Sequence, residues 1–109
     1  MSRDDLYLRH LQDAIDKIER YVAVGYDEFM HVSHWQDAVI RQLEIIGEAV
    51  KRLSPEATQR HPDIPWRRIA GMRDVLIHDY AGVDLEAVWQ VAQADLPNLR
   101  RAIEALVRR

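Results

Sequence analysis

The sequence contains no cysteine, which excludes a disulfide framework and any thiolate metal site. That fits a reducing compartment, so a cytoplasmic protein is expected. No stretch approaches the roughly 18–20 apolar residues needed to span a bilayer, and no membrane partner is expected. The first residues, Met1-Ser2-Arg3-Asp4-Asp5, turn charged at once and lack a signal-peptide core. There is no internal repeat, low-complexity tract or linker, and no convincing strand alternation. Neither sign of charge dominates, since 18 acidic and 15 basic residues leave a net charge of -3. That balance argues against a generic nucleic-acid coat but leaves room for a local basic cleft.

What is present is helical periodicity. The 109 residues are 48% hydrophobic and 30% charged, the composition of one globular domain over 1–109. Leu8, Leu11, Ile15, Ile18 and Val22 alternate spacings of three and four, predicting a first helix over about 4–24 that stops at Gly25. Ser33-His34-Trp35-Gln36 has the form of a capping box opening a second helix. That helix turns Val39, Leu43, Ile46, Val50 and Leu53 inward. Its other side carries Asp37, Arg41, Glu44, Glu48 and Lys51, a spacing that suits surface ion pairs. Ser54-Pro55 ends it and starts another helical turn.

His61-Pro62-Asp63-Ile64-Pro65 is the strongest break in the chain. A third helix is expected over about 65–79, with Gly82 beyond its end. Asp84 then caps a fourth helix over about 85–108. Leu85, Val88, Ala92, Leu96, Leu99, Ile103 and Leu106 keep one register through Pro97, which predicts a single kinked helix. Together these make an all-α, antiparallel four-helix up-and-down bundle with short extra helical turns.

The chemistry gathers in Arg73-Asp74-Val75-Leu76-Ile77-His78-Asp79-Tyr80. In an unbroken helix Arg73 and Tyr80 share a face, while His78 lies about 140° around from Arg73 at 100° per residue. Two readings stay open on the residues alone. In one, Arg73 forms an ion pair, His78 caps a helix end and Tyr80 packs. In the other, the group cleaves RNA. An RNA 2′-hydroxyl can attack the neighbouring phosphate if a base takes its proton, a cation faces the phosphorane and an acid protonates the leaving oxygen. Histidine titrates near neutrality and serves either proton transfer. Arginine offers a fork of donors to phosphate oxygens. One histidine serves both transfers poorly, which makes a second copy across a dimer attractive.

Arg60, His61, Arg67, Arg68 and Arg73 form a basic cluster around the proline-rich break. It suits either an RNA backbone or a solvated face with ion pairs. Trp66, beside Arg67 and Arg68, is the tryptophan to test for RNA contact; Trp35 and Trp89 read as packing residues. His31 and His34 have no nearby cysteine and no obvious third ligand, so a helix-start role is favoured and no metal site is expected. Gly47 and Gly71 inside helices each cost about 1 kcal/mol relative to alanine, which close helix approach would explain.

Arg73-x4-His78-x-Tyr80 resembles the R-x4-H-x-Y signature of HepT-like toxins in the HEPN superfamily of helical nucleases. The similarity continues, in order, through Arg41-x-x-Glu44-Ile45-Ile46-Gly47-Glu48-Ala49, Ile64-Pro65-Trp66-x-x-Ile69-Ala70-Gly71-Met72-Arg73-Asp74, Val83-Asp84 and Asp95-Leu96-Pro97. It covers nearly the whole chain. The resemblance implies a bundle of HEPN type. It implies a toxin of a type VII-like toxin–antitoxin pair, an endoribonuclease needing no metal or other cofactor. Arg73 and His78 match the cleavage pair, and Asp74 the polar residue that follows the arginine. Tyr80 matches the tyrosine that a partner MNT-type nucleotidyltransferase antitoxin adenylylates. A homodimer with both motifs facing one cleft is also implied. The alternatives are a non-catalytic nucleotide- or substrate-binding partner subunit of a minimal nucleotidyltransferase, and a purely structural dimerisation bundle.

Overall fold

Apolar periodicity sets the frame of the molecule. The computed structural model describes residues 2–72, 77–78 and 82–108, with the backbone alone at 77–78. Helix α1 spans Arg3–Val22 and buries Leu8, Leu11, Ala14, Ile15 and Ile18. After the short helix α2 (Tyr26–His31), α3 runs from Ser33 to Lys51 and buries Val39, Leu43, Ile46 and Val50 on its inner face. Two short helices follow, α4 (Pro55–Gln59) and α5 (Trp66–Ala70). Strands β1 (Ile77–His78) and β2 (Gly82–Val83) pair before α6 (Leu85–Gln90). A π-helical turn over Val91–Asp95 leads into α7 (Leu96–Arg108). The described residues are overwhelmingly helical, and the fold class is all-α.

Side-chain contacts fix the directions. Asp4, at the start of α1, accepts from the Ser54 backbone N–H at 2.8 Å and from its hydroxyl at 2.6 Å, just beyond the end of α3. Helices α1 and α3 are therefore antiparallel. Arg100, early in α7, donates to Asp16 at 2.6 Å and to Glu19 at 3.0 Å, late in α1. Helices α1 and α7 are antiparallel as well. The core lies where these three helices meet: Leu11, Ile15, Leu43, Ile46, Leu99 and Ile103 are almost fully excluded from solvent. Each such side chain contributes about 1.5–3 kcal/mol on burial.

Several helix ends follow the expected chemistry. Ser54 caps α4 through the Ala57 N–H at 3.2 Å, with Pro55 behind it. Asp84 caps α6 through the Ala87 N–H at 3.0 Å. Helix α1 adds a capping box in which Ser2 and Asp5 satisfy each other's backbone N–H groups. The expected box at Ser33–Gln36 does not form. Val32 is the cap residue, and the Gln36 amide reaches back to the Phe29 carbonyl at 2.9 Å instead. Gln36 thus ties α3 to the end of α2, so the turn between two closely spaced helices decides its bond.

The last helix is continuous in register but carries a π turn where the sequence predicts a kink. Proline has no N–H, and its ring clashes with the carbonyl four residues back. Widening the turn just before Pro97 relieves that conflict. The Leu96 N–H accordingly donates to the Val91 carbonyl, five residues back.

The expected third helix over 65–79 is corrected. Helix α5 ends at Ala70, Gly71 lies outside it, and at Ile77–His78 the backbone is extended and paired. Gly82 takes a positive φ of 92°, a conformation that glycine adopts without steric cost and that the returning chain uses here. β-Branched Ile77 and Val83 stand opposite each other, a pairing that favours a ladder over a helix end.

Candidate functional site

Gly47 places the start of the candidate site. A Cβ there would lie 3.1 Å from the Ala70 carbonyl oxygen and 3.5 Å from that of Ile69. A Cβ so close would press on the Ala70 carbonyl, and glycine lets the end of α5 lie against α3 without that backbone giving way. The close approach expected of this glycine is thus met within the chain. Gly71, just beyond α5, differs, since a Cβ there would make ordinary contact at 3.7 Å with the Arg67 carbonyl oxygen.

Trp66 anchors the other end of α5. Its indole N–H is shared between the Thr58 and His61 carbonyls at 3.0 Å each, and its ring packs, half-buried, against the core. The proline-rich break is thereby pinned onto the helix that follows it. Arg67 and Arg68 are exposed on α5. Arg68 donates to Asp95 at 2.8 Å, which links α5 to the π turn of the last helix. Arg67 has no ion pair among the described residues.

The chain runs from Met72 into the segment that bears the motif. Arg73, Asp74 and Tyr80 lie outside the described residues. His78 is placed by its backbone in β1, opposite Gly82 in an antiparallel register. The angular relation expected of His78 and Arg73 on an unbroken helix therefore does not apply, because residue 78 is in a strand. Strand β2 leads directly to the Asp84 cap, so the pairing of β1 is coupled to the start of α6.

A pocket of about 460 Å³ lies between α1, α3 and the end of α5, lined among others by Tyr7, His10, Arg41, Glu48, Arg52 and Gly71. Tyr7 and His10 meet edge to face at 5.5 Å. Lys51 pairs with Glu48 at 3.5 Å, as the helix spacing predicts. Arg41 of the same stripe and Arg52, the residue just after α3, behave differently, since neither has an ion pair among the described residues. Sequence reading alone assigns Arg41 to a helix-surface ion pair and singles out neither Tyr7 nor His10. The signal for them is three-dimensional: α1 and α3 must first be packed antiparallel.

Elsewhere the electrostatics are local. Tyr26 donates to Glu86 at 2.5 Å, and this bond raises the phenol above its ordinary pKa. Burial of Arg100 opposes its charge, but bonds to Asp16 and Glu19 win and hold its pKa above the ordinary value. His31 contacts the Asp27 carbonyl through Nδ1 at 2.8 Å, and the His34 ring rests on Trp35 at 4.7 Å. Among the described residues no group of three or more histidine, aspartate or glutamate side chains could hold a metal ion. Among them, too, no helix is long and apolar enough to cross a membrane.

The family profile described as Ribonuclease HepT-like matches residues 11–106. A probable ribonuclease HepT of Thermococcus cleftensis is 43% identical over 101 residues, covering 92% of each chain. A candidate RNase of Caldanaerobacter subterraneus subsp. tengcongensis is 38% identical over 104 residues, covering 94% of this chain and 93% of its own. A Methanocaldococcus jannaschii protein named as both a gamma-glutamylcyclotransferase and a candidate RNase is 44% identical over 99 residues. That match takes in 90% of this chain but only 45% of the longer relative. No solved structure gives a significant match.

Proposed function

Because the chain belongs to the HepT-like ribonuclease family, we propose that it is the toxin of a toxin–antitoxin pair, a cytoplasmic endoribonuclease that cuts RNA without metal through Arg73 and His78. The observation that carries this reading is Arg73-x4-His78-x-Tyr80 inside the matched stretch. In the proposed step His78 takes the proton of a 2′-hydroxyl. The freed oxygen attacks the adjacent phosphorus and the P–O5′ bond breaks. The products are a 2′,3′-cyclic phosphate and a 5′-hydroxyl whose proton comes from a general acid. Arg73 faces the crowded phosphorane, where a fixed guanidinium fork offsets the growing charge. Asp74 supports the arginine. A homodimer would let the second copy's His78 serve as that acid.

Tyr80 is read as the switch. Transfer of AMP from ATP to its phenol oxygen, by an MNT-type nucleotidyltransferase, would release pyrophosphate. The transfer would leave a bulky phosphodiester anion beside Arg73, in competition with the RNA phosphate. Arg67, Arg68 and Trp66 are proposed to contact RNA, and the exposure of both arginines is compatible with that role.

The test is cleavage of RNA by the purified full chain in EDTA. Wild type should leave 2′,3′-cyclic ends. His78→Ala should lower the rate about 10²–10⁴-fold, the usual contribution of a general acid–base group, with an unchanged circular-dichroism spectrum. Equal cleavage by both proteins would place the chemistry elsewhere. Full silencing of Tyr80→Phe by an active transferase would remove Tyr80 from the switch.

A further inference from the structure

We propose that the groove between α1, α3 and the end of α5 holds a single-stranded RNA segment flanking the scissile phosphate, with Arg41 and Arg52 on its backbone and the Tyr7–His10 pair against a base. This rests on the ribonuclease reading above.

Three observations converge. Arg41 and Arg52 both line the groove from α3. Eleven residues separate them, about three helical turns, so they share a stripe and stand about 16 Å apart along the axis. Both are exposed and without an ion pair among the described residues, whereas Lys51 between them is engaged by Glu48. Two guanidinium forks about 16 Å apart along one groove, unpaired among the described residues, suit phosphates a few nucleotides apart on one strand better than they suit a single small anion.

The facing wall supplies rings. Tyr7 is half-buried and packs on the core, and it holds the exposed His10 ring at an interplanar angle of 89°. Single-stranded nucleic acid is commonly bound by this combination, a cationic track for the backbone and ring faces for the bases, without reading sequence. At about 460 Å³ the groove is large enough for a nucleotide unit.

The groove also leads to the chemistry. Gly71 is part of its wall, and Arg73 follows two residues later in the sequence. The Gly47–Ala70 approach fixes that wall against α3. A strand lying in the groove is thereby directed at the point where the chain enters the proposed cleavage segment.

The test uses the full chain and a fluorescein-labelled 2′-O-methyl RNA octamer, which lacks the attacking hydroxyl and cannot be cut. Fluorescence anisotropy at several salt concentrations gives Kd and its salt slope. The double variant Arg41→Glu/Arg52→Glu should bind at least about tenfold more weakly and lower the slope by about 1–2, as expected for two lost phosphate contacts. His10→Ala should weaken binding without changing the slope. Arg101→Glu, on α7, should bind as wild type, and circular dichroism should match for all variants. Undiminished binding by the double variant, or no binding by wild type, overturns the proposal. So does a double variant that loses self-association but keeps its RNA affinity, which would put a second copy of the chain in the groove. The two readings fail separately. RNA binding through the groove without any cleavage would sink only the ribonuclease reading, and cleavage with wild-type binding by the double variant would sink only the groove.

Discussion

Helices α1, α3 and α7 are 20, 19 and 13 residues long, whereas the described elements between Trp66 and Asp84 are five, two and two residues long. The first region is held by a continuous apolar seam. The described part of the second adds to the buried Ile69 and Met72 a few single devices: the Trp66 indole on two carbonyls, the Arg68–Asp95 pair, the Gly47–Ala70 approach and the Asp84 cap. The difference separates stability from chemistry. Burial in the seam is additive over many side chains, so the frame tolerates variation at any one surface position. The described elements around the proposed cleavage segment are short, and loss of one device there is expected to lower cleavage without unfolding the whole.

The largest expected effect on stability lies in the frame. Leu43 is 1% exposed, at the centre of α3. Leu43→Ala should cost about 2–5 kcal/mol, from lost burial and the cavity left behind. Urea titration measures it. The fraction that remains folded should cut RNA at the wild-type rate. A matching collapse of turnover in the folded fraction would break the separation drawn above.

A smaller effect is expected where the two regions touch. Gly47→Val places three carbons where one Cβ already meets the Ala70 carbonyl at 3.1 Å. Overpacking of this kind costs about 1–3 kcal/mol, and the backbone of α5 must shift to relieve it. RNA cleavage should fall by more than the stability loss predicts. Gly71→Ala supplies the contrast, since its Cβ has room and its φ of -98° suits any residue; it should be neutral in both measurements. Equal behaviour of the two variants would remove the special status of the α3–α5 contact.

The same division explains what could be read from sequence. The apolar stripes of α1, α3 and the last helix are periodic, and their facing residues are buried except at the ends, where Val22 and Leu85 are half-buried. The caps at Ser54 and Asp84 are local and were legible for that reason. The Ser33–Gln36 box does not form because its glutamine has a better partner across a turn, in Phe29. The helix expected over 65–79 fails at Ile77–His78, where the competing structure is a strand pairing with residues six and four positions later, Val83 and Gly82. Arg41 reads as a surface ion-pair residue until α1 is laid against α3 and the pocket between them is seen. The residue types of the proposed site were legible, but their arrangement depends on contacts between elements, which periodicity does not encode.

The smallest expected change in stability tests the most specific part of the comparison. Asp84 sits one residue after β2 and caps α6 through the Ala87 N–H. Asp84→Ala removes one cap, which costs about 1 kcal/mol, and Asp84→Asn, whose amide oxygen can still accept, should cost less. The strand that Asp84 anchors is only two residues long, and its Gly82 stands opposite His78. With the cap gone, β2 loses its fixed approach to α6, and β1 loses the partner that sets its register. Cleavage by Asp84→Ala should therefore fall at least about tenfold, more than the stability change accounts for, while Asp84→Asn restores most of it. Hydrogen exchange supplies an independent readout, with faster exchange at residues 77–78 and 82–83 and none of the change in α1 or α3. Equal loss of protection across the frame would mean that the two regions open as one unit.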